Sequence, residues 1–113
     1  MTERPNLTRK LELQESVATP DGAGGFDVQW TTLGELWADM RASRGRESLV
    51  GARASSSVVW RIFVRAAPFG APSRPTPNQR FVEGSRIFTI LSVAEVTGHE
   101  LYLECWAEEG SLA

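Results

Sequence analysis

His99 and Cys105 are the single histidine and single cysteine of this chain, and they limit the chemistry it can perform. A zinc centre needs four ligands drawn mostly from these two residue types, so one chain cannot assemble a site of usual spacing. His99 lies in TGHE between Gly98 and Glu100, a turn-like setting in which histidine is ordinarily a solvated polar residue. Cys105 alternates with Leu101, Leu103 and Ala107, which reads as a buried small hydrophobe and not a reactive thiol. No serine has the flanking residues of a nucleophile elbow. Asp21–Gly25, DGAGG, has phosphate-loop glycine spacing, but such loops need a strand before and a helix after, and strands are expected on both sides. Glu108 and Glu109 are adjacent on an expected strand and point to opposite faces, so they are poor partners for acid–base work. These readings predict a protein that is not an enzyme and has no cofactor or metal.

The charged residues are segregated. From Arg41 to Arg80 there are eight arginines against Glu47 alone, a net of +7, whereas Phe81 to Ala113 carries a net of −5 within a chain whose formal charge is −2. Eleven of the twelve basic residues are arginine, whose planar fork suits carboxylates and phosphates. A basic face and an acidic face would let identical subunits meet head to tail, or let the basic face meet DNA or an acidic partner.

The elements that position these groups are mostly strands. The 113 residues, 42% hydrophobic, fit one domain over 1–113 with a frayed tail at 110–113. There is no long apolar run for a transmembrane helix and no apolar region for a signal peptide; a lone cysteine allows no intrachain disulfide and suits a reducing compartment. LTRKLELQE (Leu7 to Glu15) alternates as a half-buried strand, and TPDGAGGFD (Thr19 to Asp27) reads as a hairpin loop. FDVQWTTLGELWADM continues as one long strand or two, with a bulge near Gly34. GRESLVGARASS supplies a short helix, about Glu47 to Ala54. SVVWRIFVR is the strongest strand signal, with Trp60, Ile62 and Val64 on one face. Phe81–Val82, Arg86–Val96 and LYLECWAEE complete about six strands. The four tryptophans, Trp30, Trp37, Trp60 and Trp106, all fall in strands, where they serve a core or a subunit interface. The fold class is all-β: a small antiparallel barrel with one short helix and a long proline-rich loop.

This order of features resembles the small phage head–tail joining proteins, also called head-closure, stopper or head–tail adaptor proteins, of long-tailed phages and gene transfer agents. The resemblance runs from about Leu7 to Glu109. It rests on LTRKLELQE with the DGAGG loop, the tryptophan strand through Trp30, LWADM, GRESLVGARASS with Gly45, Glu47 and Ala52, VVWRIFVR ending in Arg65, RFVEGSRIFTILSV with Arg80, Gly84 and Ile90, and ELYLECWAEEG. It implies a ring, commonly twelve-fold, that closes the DNA-filled head below the portal or adaptor and offers a docking platform to a tail terminator or tail tube protein. The implied location is the virion neck, assembled in the host cytoplasm, with no membrane.

The departure is the connection from Arg65 to Arg80, which is often short in the family and here has 14 residues, Ala66 to Gln79. Pro68, Pro72, Pro75 and Pro77 exclude a central strand and stiffen the segment. It reads as a removable surface arm that packs on a neighbouring subunit or ring, with Phe69 as the anchor and Arg74 near DNA or a carboxylate. Asp21, Gly22, Gly24 and Gly25 form a candidate channel-facing loop, because glycines change conformation cheaply. Arg61, Arg65 and Arg80 form a candidate basic surface. Beside Trp60 and Phe63 they also support a second reading, a small barrel binding single-stranded nucleic acid. A third is a tail-terminator-type neck ring component.

Overall fold

The computed structural model describes residues 5–43, 58–96 and 98–110. Six strands run β1 (Arg9–Pro20), β2 (Phe26–Ala42), β3 (Val58–Arg65), β4 (Arg80–Glu83), β5 (Arg86–Val96) and β6 (His99–Glu109). All pairings are antiparallel, and the order β1-β2-β3-β6-β5-β4 closes into a barrel through β4 on β1. Among the described residues there is no helix; the one expected near Glu47 to Ala54 lies outside them.

Every strand contributes to one core. Leu11 and Leu13, Ala38, Ile62 and Val64, Phe81, Phe88 and Ile90, and Leu103, Cys105 and Ala107 are all fully or almost fully buried. The period-two alternation of β3 and β6 sends these residues inward, as expected. Trp60 packs edge-on against Phe88, with centroids 6.3 Å apart. Phe63 breaks the simple alternation: it lies on the face opposite Ile62 and Val64 yet is buried, with the Arg41 and Arg61 guanidinium groups 4.8 and 5.3 Å from its ring. A chain of ion pairs joins four strands at one end of the barrel. Arg9 on β1 holds Glu83 on β4, Glu83 faces Arg86 on β5, and Arg86 grips Glu109 on β6. Trp60 on β3 donates its indole N–H to the same Glu109 at 2.9 Å.

The long proline-containing connection is not an irregular loop. Backbone N–H groups of Ala71, Arg74 and Gln79 donate to the carbonyls of Pro68, Ala71 and Thr76, which makes three β-turns. Pro72 and Pro77 each occupy the second turn position, where their fixed φ is already correct. Gly70 and Asn78 occupy third positions with φ of +86° and +75°, the left-handed conformation that a type II turn demands. The segment folds back on the barrel: Pro75 is fully buried, Asn78 donates to the Ile90 carbonyl, and Ile90 donates to that of Gln79. The segment is thus tied to β5 at its C-terminal end.

Candidate interaction surface

β1 and β2 pair from Arg9↔Ala38 out to Pro20↔Phe26, but their other edges are occupied over much shorter stretches. β1 meets β4 only at Glu12–Gln14, and β2 meets β3 only at Ala38–Ala42. The remainder, about residues 15–32, is a two-stranded ribbon that leaves the barrel and contributes to a longest dimension of 52 Å. Its loop is shorter than the sequence suggests, because Thr19, Pro20, Phe26 and Asp27 all pair. The tip, Asp21 to Gly25, is tightly organised. The Asp21 carboxylate accepts from the Ala23 and Gly25 backbone N–H groups at 2.8 and 3.0 Å, and these bonds hold its pKa below the usual carboxylate range. Gly22 and Gly24 have φ of +84° and +90°, which only glycine adopts freely.

A bulge decides what this ribbon displays. Leu13 pairs with Gly34 and Gln14 with Thr32, so Leu33 is the extra residue. Without it, Phe26, Val28 and Trp30 would share the inward face of Ala38. One extra residue reverses the parity and turns that row outward. Its cross-strand partners are Pro20, Ala18 and Ser16, so one ribbon face is apolar toward its tip. Phe26 is 68% exposed and Val28 60%, an unusual position for such side chains on an otherwise polar ribbon.

The root of the ribbon is clamped. Arg80 on β4 stacks over Trp30, with its guanidinium carbon 3.9 Å from the ring centre, and its Nε donates to the Gln14 side-chain carbonyl at 2.7 Å. The Gln14 amide donates in turn to Glu12, and Thr32 donates its hydroxyl to the same carboxylate. These bonds, that from Thr32 foremost, hold Glu12 below the usual carboxylate range. Leu33 and Glu15 on one side and Gly70, Ala71, Pro72 and Arg74 on the other border a cleft of about 290 Å³ between the ribbon root and the turn segment.

Phe69 stands at the turn segment's crest, 82% exposed. Arg74 stacks on it at 3.8 Å and donates to the Ala67 carbonyl at 2.9 Å. Of the other residues named for this arm, Pro75 is core-facing, whereas Pro72 and Pro77 shape turns. Of the three arginines proposed as a basic surface, Arg61 and Arg65 share β3, and Arg80 lies apart on β4. Arg61 is bound to Glu104 at 2.6 Å and lies near Phe63 and Trp106. Arg80 serves the ribbon root. In the barrel order β3 and β4 are separated by two strands either way round. Arg65 is exposed. Trp30, Trp37 and Trp106 are each more than a third exposed, and only Trp60 packs against the core. Burial pushes the Cys105 thiol up to about 12, which suits its place in the core. Among the described residues no cluster of metal-ligating side chains occurs. The feature that sequence reasoning missed is the outward apolar row, and its signal was the bulge at Gly34.

The family model described as phage head completion protein matches residues 2–110. A chain from the virion of a native gene transfer agent particle superposes with a TM-score of 0.79 at 48% identity, over 97% of this chain and 100% of that one. The solution structure of protein SF1141 from Shigella flexneri 2a superposes with a TM-score of 0.66 at 18% identity, over 95% of this chain and 96% of that one, a likeness of fold alone. No curated protein matches the chain.

Proposed function

The chain belongs to the phage head completion protein family, and from that premise we propose that it closes a DNA-filled head as a ring in the virion neck. In this reading copies of the chain assemble, twelve to a ring, below the portal or adaptor, and their lower face receives a tail terminator or tail tube protein. The role is structural. The observation that carries it is the 48% identity, spanning 97% of this chain and the whole of the other, with a component of a gene transfer agent virion. The form of the molecule supports the same reading. A rigid barrel with a projecting ribbon is suited to repeated lateral contacts, and a two-stranded ribbon is poorly stable in water until it is covered.

The organised tip with Asp21, Gly22, Gly24 and Gly25 is our candidate for the channel-facing element, since it caps the ribbon that projects from the barrel. Phe69 and Arg74 are our candidate contact group. The test is assembly of particles without this chain, imaged by electron microscopy with packaged DNA quantified. We expect DNA-leaking heads accumulating apart from finished tails. Joined particles with normal DNA content would reject head closure.

A further inference from the structure

We propose that the apolar face of the ribbon, built by Phe26, Val28 and Trp30, seats on the Phe69–Arg74 knob of a second copy, so that identical chains join ribbon to knob. The inference rests on the ring reading above. It concerns which surfaces meet, and the structure supplies both halves.

The occupant is identified by charge and by apolar match. Between Gln14 and Leu33, the length of the ribbon, the chain carries Glu15, Asp21 and Asp27 and no lysine or arginine. Such a ribbon repels phosphate, so nucleic acid does not fit it. The turn segment, residues 66–79, carries Arg74 and no acidic residue, and Arg65 immediately precedes it. Neither Arg65 nor Arg74 has a carboxylate at ion-pair distance among the described residues. The knob is therefore apolar and basic, and the ribbon apolar and acidic. Within one chain these surfaces leave each other exposed, with Phe26 at 68% and Phe69 at 82%. The cleft of about 290 Å³ beside the knob gives an aromatic side chain of the next ribbon a place to insert.

Ribbon and knob are different patches, so the contact is heterologous and propagates from copy to copy until it closes. The ribbon extends roughly 20 Å beyond the barrel at about 3.3 Å per residue, enough to overlap a neighbour. One such contact is weak. Closure makes each later contact intramolecular and raises its effective strength.

A suppressor pair tests this in assembling particles. Val28→Arg sets a cation on the ribbon face against Arg74 of the next copy, and Phe69→Glu sets a carboxylate on the knob against the acidic ribbon. Both positions are exposed, and unchanged circular dichroism checks that each variant folds. Each alone should lower the yield of joined, DNA-filled particles by about tenfold or more, the scale of a lost anchor residue. Producing both variants together should restore it, because an arginine ribbon then meets a glutamate knob and a native ribbon meets a native knob in alternation. Full yield from either single variant, or loss without rescue, overturns the inference and leaves head closure standing. If particles lacking the chain are normal, head closure itself has failed. Ribbon-to-knob docking is then read on purified protein by disulfide trapping between Val28→Cys and Phe69→Cys chains, where absence of the mixed dimer overturns it.

Discussion

Replacing Arg80 with alanine should loosen the ribbon while leaving the barrel closed. Arg80 makes two contacts with the ribbon root: it stacks on Trp30 at 3.9 Å and donates to Gln14 at 2.7 Å. A cation on an aromatic face contributes roughly 0.5–2 kcal/mol depending on desolvation, and a charge-assisted hydrogen bond is of comparable size. Both are partly solvated, so about 1–2 kcal/mol is the expected local loss. Trp30 lies where only the β1–β2 ladder holds the strand. The loss should therefore appear as easier local opening, a factor of roughly 5–30 in the open population. Amide hydrogen exchange followed by NMR reads this directly. Amides of residues 16–19 and 27–31 should exchange about 5–30-fold faster, while those of Ile62 and Leu103 in the barrel change much less. Arg80→Lys keeps the charge without the planar stack and should fall between. If ribbon and barrel amides accelerate by the same factor, or the ribbon amides do not change, the clamp is not what holds the ribbon.

Phe81→Ala removes a fully buried ring on β4 and should cost about 3–5 kcal/mol in denaturant unfolding; a loss under about 1 kcal/mol contradicts the packing. Asn78 has a φ of +75°, so Asn78→Gly should match or exceed the native stability in denaturant unfolding while Asn78→Ala falls by about 1 kcal/mol; the reverse order would sink the turn assignment. Glu83 and Glu109 are held below their ordinary value of 4.5, chiefly by hydrogen bonds from Arg9 and Arg86 respectively. Their contribution is thus present above about pH 4.5 and lost as pH falls through the depressed folded values. Glu109→Gln should flatten the acid limb of a melting-temperature curve, and an unchanged limb refutes that. Cys105, buried and with its thiol pushed up to about 12, should resist alkylation at pH 8 until the protein is unfolded; stoichiometric labelling of native protein contradicts its burial.

The barrel was largely legible in the chain. Alternation in VVWRIFVR and LYLECWAEE predicts β3 and β6 and their inward residues, and the EGS turn separates β4 from β5 where expected. Gly34 correctly marked the bulge. Its consequence was not legible, because the even-numbered row Phe26 to Met40 reads as one continuous face until the extra residue is counted against the partner strand. The turns of the proline segment were not legible for a related reason. Its prolines exclude a strand, but whether they shape successive turns or loosen an arm depends on long-range bonds to Ile90, which no local pattern reports. Of the arginines read as one basic surface, Arg61 and Arg65 share β3 whereas Arg80 lies on β4, separated from it by two strands around the barrel. Phe69 was legible as an apolar residue without a home; its stacking partner Arg74 follows from the turns that bring them together.

Among the described residues the outer edges of the ribbon pair with no other strand, which has a further consequence for the protein before it is used. Rows of free N–H and C=O groups are templates for adding another strand, and unassembled copies are at risk of polymerising edge to edge. Along this ribbon Glu15 and Asp27 bear the same sign, and Pro20 ends β1 without a backbone donor. Two ribbons side by side would set carboxylates against carboxylates. The same charges that would favour a basic knob would oppose edge-to-edge pairing of free chains.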